Sequence, residues 1–272
     1  MVTIKKEIGT KNTHKLSAIP HTLSKVFKQS IVILILIALW EIVPRIGLVD
    51  RVFFPAFSEV VAAFWDMLIS GQLWTHFKAS IIRSTLGFFI AIIIAVPLGL
   101  LIGWYPIARE LLNPVLEIFR NTAALALLPV FILLLGIGEV SKVSIIIFAC
   151  VWPVLLNTIA AVRDVDPLYI KSAKSMNIND VQLFRKVILP ASVPTIFTGI
   201  RMAGTGAILV LIAAEMIGAK AGLGYLITVT QYNFEIPKMY AGIITISLLG
   251  LIINQGLLAV ERQFSKWKQP VK

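Results

Sequence analysis

The groups able to carry acid–base, nucleophilic or metal chemistry are few: 14 Asp and Glu, three His and one Cys in 272 residues. His14, His21 and His76 are far apart, and no His, Cys and carboxylate set recurs at zinc-site spacing or on one helix face. A nucleotide-phosphate loop needs G-x-x-x-x-G-K-[ST]; the nearest approach, Gly136 to Lys142 (GIGEVSK), lacks that pattern. Cys150 is expected to be a small packed residue. No catalytic residue, metal site or cofactor is therefore expected, and the chain is not read as an enzyme. A different set remains. Glu41, Arg83, Arg120, Arg201 and Glu215 lie in or beside strongly apolar stretches, as do Asn121, Thr122 and Asn157. Such groups snorkel to an interface, pair between helices, or line the path of a polar solute. Arg120, Asn121, Asn157, Arg201 and Glu215 are the candidates for such a path.

The elements that must position them are membrane helices. AVILMFWYC make up 58% of the chain and charged residues only 14%, more apolar than a soluble fold of this size can hide. Cutting the chain at its charges leaves uncharged stretches long enough to cross a bilayer. Six spans are expected, at about 29–44, 81–104, 114–136, 143–162, 191–217 and 239–260, within a transmembrane domain of 29–262 flanked by basic tails at 1–28 and 263–272. The basic stretch before the first apolar run is long and no small-x-small site follows it, so the first helix is expected to be retained rather than cleaved.

Lys and Arg concentrate in the two tails and in the segment after span 4, which places both termini and that segment in the cytoplasm. Nearly all of the +11 net charge lies in these three segments. It is thus accounted for by topology and anionic lipid, and no nucleic-acid partner is expected. Between spans 1 and 2, Ser58 is placed as an N-cap for a helix with an apolar stripe at Val60, Val61, Phe64, Trp65, Leu68 and Ile69. That helix lies on the outer leaflet or packs on the bundle. Pro97, Pro129 and Pro153 are expected to kink their spans, and Gly87, Gly99, Gly103, Gly199, Gly204 and Gly206 to permit close helix packing.

The segment 163–190 is polar, charged and longer than the other connections. Asp166-Pro167 predicts a helix start, followed by a small or apolar face of Leu168, Tyr169, Ser172, Ala173, Ser175 and Met176. Asn177 suits a left-handed cap, and Asn179 or Asp180 caps a second helix running toward Leu189-Pro190. A projecting helix–turn–helix of this kind is either a docking device or an amphipathic connection.

This segment resembles the EAA loop of the permease subunits of ATP-binding-cassette (ABC) importers, E-A-A, three residues, G, nine residues, I-x-L-P. Lys171-Ser172-Ala173 stands at E-A-A, Asn177 at G, and Val187-Ile188-Leu189-Pro190 at I-x-L-P, with the spacing kept and Lys reversing the charge of Glu. FPAFSEV (54–60), LLPVFILLLGIGEVSK (127–142), PVLLNTIAAVRDVDP (153–167), QLFRKVILPASVPTIFTGIRMA (182–203) and AAEMIGAKAGLGYLI (213–227) resemble the nitrate/sulfonate/taurine branch of that family in the same order. Asn121-Thr122-Ala123-Ala124 departs from the Pro-rich turn common there.

The resemblance implies an all-α type I ABC importer permease bundle with no ATP site of its own. It implies a homodimer or paired permease, two cytoplasmic ATPase subunits, an extracytoplasmic solute-binding protein, and a nitrate-, sulfonate- or taurine-like solute or an unrelated small metabolite. The ATPase-coupling residues it implies are Asp166, Pro167, Leu168, Lys171, Ser172, Ala173, Ser175, Met176, Asn177, Leu189 and Pro190. The competing class, an ion-coupled secondary transporter, needs paired intramembrane acids or His and usually internal repeats, neither of which is evident.

Overall fold

The structure, a computed structural model, describes residues 21–264, with side chains from residue 31 onward. Of the expected basic tails, residues 1–20 and 265–272 lie outside the described residues, while 21–28 form the first turns of a helix. The described chain is helical, in two compact units divided after Ser58.

The first unit holds α1 (His21–Arg45) and the segment that follows it. The Trp40 indole N–H donates to the Pro55 carbonyl (3.1 Å), and the ring stacks on Phe54. Glu41 pairs with Arg45 and accepts from both the N–H and the hydroxyl of Ser58, each at 2.9 Å. Ser58 is therefore not the N-cap of α2 (Phe57–Ile69) but its second residue, with its hydroxyl spent on Glu41. The expected span 29–44 lies within α1 but begins on residues whose side chains are outside those described.

The second unit is a bundle. Among the described residues α3 (Gln72–Trp104), α6 (Glu139–Arg163), α8 (Asp180–Met216) and α10 (Ile236–Phe264) are each long and apolar enough to cross a membrane. Between α3 and α6 run α4 (Pro106–Arg120), a 3-10 turn (Ala124–Leu127) and α5 (Leu128–Leu135), whose two arms are bent by 84° and are long and apolar enough for a span only when taken together. The stretch expected as the span 114–136 falls across this bend. Thr122 Oγ1 donates to the Ile118 carbonyl (2.9 Å), which a continuing helix would have given to the Thr122 N–H, while Asn121 Nδ2 adds a second donor (2.8 Å) to the Glu117 carbonyl already bonded by the Asn121 N–H. Two short helices complete the unit, α7 (Pro167–Ser175) and α9 (Leu223–Tyr232).

Small residues set the packing. Gly87, Ala91, Ala95, Gly99 and Gly103 recur every four residues along α3, and they face a row of the same period on α6, Ile146, Cys150, Val154, Thr158 and Val162. The two helices run parallel, with Gly87 against Ile146, Gly99 against Thr158 and Gly103 against Val162. On its other side α6 takes α8 antiparallel: Gly199 lies on Asn157, and the Cys150 thiol reaches the Ala203 carbonyl (3.6 Å). A Cβ added at Gly99 would fall 2.6 Å from the Thr158 Cβ, whereas one at Gly206 would meet open space. Gly99→Ala is accordingly expected to cost about 1–3 kcal/mol by overpacking, read as a lower melting midpoint of the purified protein. Gly206→Ala, the control, should not lower that midpoint, since a helix interior favours Ala over Gly where there is room for the Cβ.

Helix α2 presents Val60 and Met67 inward, both essentially fully buried, and leaves Val61, Trp65 and Ile69 exposed. Phe64 and Leu68 join Leu73, Phe77 and Leu249 around an apolar pocket between α2, α3 and α10, so the helix packs on the bundle.

Candidate functional site

The segment after α6 folds as a lever. Arg163 ends α6 and its guanidinium pairs with Asp164 (2.7 Å), holding that carboxyl below the usual carboxylate range. The Asp166 carboxylate then accepts from the Leu168 N–H (2.8 Å), capping α7 with Pro167 at its first position. Asn177, at φ +55°, turns the chain, and Asn179 Oδ1 accepts from the Gln182 N–H (2.8 Å) to cap α8. The second helix expected from Asn179 or Asp180 begins there, and it is continuous with the apolar span beyond Leu189-Pro190 as α8. A π-turn at Phe184–Ile188 precedes Pro190 and carries the helix through it without a break, because the widened turn tolerates the missing N–H.

Ala173 anchors α7. It is buried among Val162, Val165, Leu183 and Ile188, with Ile170, Ile178 and Trp104 around them, so α7 is seated on the ends of α3, α6 and α8. Trp104 of α3 meets Phe184 edge-on at 5.2 Å. The opposite face is bare: Leu168, Tyr169, Ser172, Ser175 and Met176 are exposed, and Tyr169, Ser172 and Met176 border a shallow groove floored by Ala173, Val187 and Pro190.

The intramembrane candidates separate into three places. Arg120 and Asn157 meet, with Thr122, Trp152 and Met202, around a cavity of about 470 Å³ beside the middle of α6. Phe119 stacks on Trp152 with the rings nearly parallel and their centroids 4.8 Å apart, and the buried Trp152 indole N–H has no hydrogen-bond partner among the described residues. The Arg120 side chain is 60% exposed, with Glu117 3.5 Å away. Asn121 is not on the cavity wall, since its amide is turned back onto α4. Asn121 and Thr122 turn their side chains onto carbonyls one turn back, whereas Asn157 Nδ2 donates both to the Pro153 carbonyl (2.8 Å) and across to the Met202 sulfur of α8 (3.9 Å).

Arg201 faces away from the cavity and pairs with Glu261 of α10 (2.7 Å), whose other oxygen accepts from Thr198. Glu215 is elsewhere again, fully buried near the opposite end of the bundle from α7. There the Arg83 guanidinium donates through Nε and Nη2 to both oxygens of Glu139, and through Nη1 to Glu215 (2.7 Å) and the Ala221 carbonyl (2.6 Å). Glu215 also accepts from the Ser80 hydroxyl (2.8 Å) and the Gly224 N–H (3.0 Å). His76 Nδ1 accepts from the Gly222 N–H, while Lys142 donates to the carbonyls of Gly138 and Gly218. At Gly222 (φ +130°) a Cβ would land on the Glu215 carboxylate, so only glycine fits. The network ties α3, α6 and α8 to the loop between α8 and α9. Its centre, Arg83, is placed in the sequence only as a charge near the end of a span.

Comparison with known proteins agrees with this architecture. The family described as the binding-protein-dependent transport system inner membrane component matches residues 87–266. A putative aliphatic sulfonates transport permease protein of Bacillus subtilis (strain 168) is 33% identical over 234 residues, 86% of this chain and 85% of the relative. The taurine transport system permease protein of Escherichia coli (strain K12) is 30% identical over 243 residues, 88% of each chain. In fold, the chain resembles a chain of the inward-facing MetNI methionine ABC transporter at TM-score 0.61 and 17% identity, over 69% of this chain and 93% of that one. With its apolar spans, its seated α7 and a family match over most of its length, the chain belongs to the inner membrane components of binding-protein-dependent transport systems.

Proposed function

We propose that two copies of this chain form the translocation pathway of an ABC importer for a small sulfonate- or nitrate-like oxyanion. The solute is delivered by an extracytoplasmic binding protein and moved by two cytoplasmic ATPase subunits that seat on α7. The carrying observation is α7 itself: a capped helix held on one side by the ends of three spans and left apolar and uncovered on the other. Closure of the ATPases would draw the two α7 helices together and, through that seat, swing α3, α6 and α8 as a body.

The pathway is assigned to the cavity that Arg120 and Asn157 share half-way along α6, where a guanidinium and an amide suit an oxyanion. Arg201 and Glu215, each paired within the chain, are assigned to the scaffold. An ion-coupled carrier would need an acid free to bind its ion, and Glu215 already accepts from Arg83, Ser80 and Gly224.

Two measurements test the proposal. The full chain should co-purify with its ATPase subunit and lose it when residues 168–177 are scrambled; retained binding would overturn the role of α7. Arg120→Gln should lower uptake of a labelled alkanesulfonate into proteoliposomes about tenfold, the loss of one charge-assisted hydrogen bond, while the ATPase stays bound. Unchanged uptake would remove Arg120 from the path.

A further inference from the structure

We propose that the surface presented by α7 is read electrostatically, and that the ATPase subunit seated on it carries carboxylates facing Lys171 and Lys174. The inference rests on the docking role given to α7 above and adds the chemistry of the partner. Lys171 and Lys174 stand three residues apart on α7, so they share a flank of the helix beside the exposed Leu168, Tyr169 and Met176. Lys186, on the π-turn, borders the groove lined by Tyr169, Ser172 and Met176, and Arg185 precedes it.

All four cations are exposed, and among the described residues none makes an ion pair or side-chain hydrogen bond. The acids of the same segment are otherwise placed. Asp164 is held by Arg163, Asp166 caps α7, and Asp180 sits in the first turn of α8, where a carboxylate complements the helix dipole. The segment thus offers four unneutralised positive groups around an apolar patch, and Lys171 occupies the place where the EAA pattern has Glu.

Anionic lipid headgroups share the chemistry that would neutralise such a collar. The protein partner is favoured by the shape of the apolar face. Ser172 and Ser175 keep it low, so that another backbone approaches closely, and a nine-residue helix with Leu168 and Tyr169 exposed, followed by Met176, makes a weak interfacial anchor. Opposed charges at such a rim set specificity: an ATPase whose groove is basic at this point is rejected, one with carboxylates there is accepted.

The test uses the full chain in detergent and the ATPase subunit that co-purifies with it. Lys171→Glu and Lys174→Glu, at exposed positions, are each expected to weaken binding about tenfold. Wild-type binding should weaken steeply as NaCl rises from about 50 to about 500 mM, since such charges are screened. A Glu or Asp in the ATPase groove changed to Lys should restore binding to Lys171→Glu. Loss of binding on scrambling 168–177, with no effect of either charge reversal or of salt, would overturn the electrostatic reading and leave the docking role standing. Binding that survives the scramble would overturn both. Charge reversals without effect in neutral-lipid nanodiscs but harmful in nanodiscs rich in phosphatidylglycerol would assign the cations to lipid and overturn the proposal.

Discussion

Replacing Arg83 by alanine is expected to destabilise the bundle by about 3–5 kcal/mol, the range found when one partner of a buried ion pair is removed. The reason lies in what is left behind. Glu215 is 0% exposed, and without Arg83 its carboxylate keeps only the Ser80 hydroxyl and the Gly224 N–H. Two neutral donors do not replace a guanidinium beside an ionised group in a water-poor interior. Ala221 loses the partner of its carbonyl in the same step. Lysine cannot substitute fully, because a single ammonium cannot serve Glu139 through two nitrogens while also reaching Glu215 and the loop. The opposite end of the network predicts a milder result. Glu139 has a side chain 63% exposed, so Glu139→Gln should cost less than about 1 kcal/mol. Thermal unfolding of the purified variants separates these cases: Arg83→Ala should melt far below the parent, Arg83→Lys between them, and Glu139→Gln close to the parent. Replacing the pair together, Arg83→Met with Glu215→Gln, should recover part of the loss, since the buried carboxylate is gone and the one left unpaired, on Glu139, is exposed to solvent. A parental melting midpoint for Arg83→Ala would falsify the view that this network holds α3, α6 and α8 together.

That network was the part of the molecule least legible in the sequence. Dividing the chain at its charges finds spans because an unpaired charge in lipid is costly, and it fails where a charge is paired. Arg83 marked one edge of the uncharged stretch behind the span expected at 81–104, yet α3 begins at Gln72 and carries Arg83 within it, facing Glu139 and Glu215. Residues 83 and 215 are too far apart in the chain for any local pattern to pair them. Polar residues misled in the other direction. Asn121, Thr122 and Asn157 suggested contacts between helices, but amide and hydroxyl side chains reach a carbonyl one turn back just as readily; Asn121 and Thr122 do only that, and Asn157 alone of the three also reaches another helix, at Met202. The α7 segment was legible because its signals are local. An Asx cap, a Pro at the first position and an Asn able to take positive φ act within a few residues, whatever the bundle does. The small-residue row on α3 lies between these cases. Gly99 and Gly103 are visible as a G-x-x-x-G pattern, but the alanines that extend it become meaningful only when Ile146, Cys150, Val154, Thr158 and Val162 are seen to face them.

Ala173→Glu is expected to abolish uptake while leaving the protein in the membrane. Ala173 is 6% exposed and is the residue through which α7 rests on the bundle. A carboxylate cannot be buried among Val162, Val165, Leu183 and Ile188 without a partner, so α7 must lift off its seat to hydrate it. The seat lies at one end of the bundle, apart from the core that α3, α6 and α8 build around Ala91, Cys150 and Ala207, so the spans themselves should persist. What is lost is rigidity between the lever and the helices it moves: an ATPase could still hold α7, but its displacement would be absorbed by a loose connection. The variant should therefore show uptake at least about a hundredfold down, against a near-parental level in the membrane, if a seat worth about 3 kcal/mol is emptied. Ala173→Ser should behave almost as the parent, because its hydroxyl can bond the carbonyl one turn back within α7. Trp104→Ala should fall between, since it removes the α3 side of the same seat, where the indole meets Phe184. Full uptake by Ala173→Glu would mean that α7 transmits nothing through this contact, and the force from the ATPases would have to enter the bundle through the continuous helix that begins at Asp180.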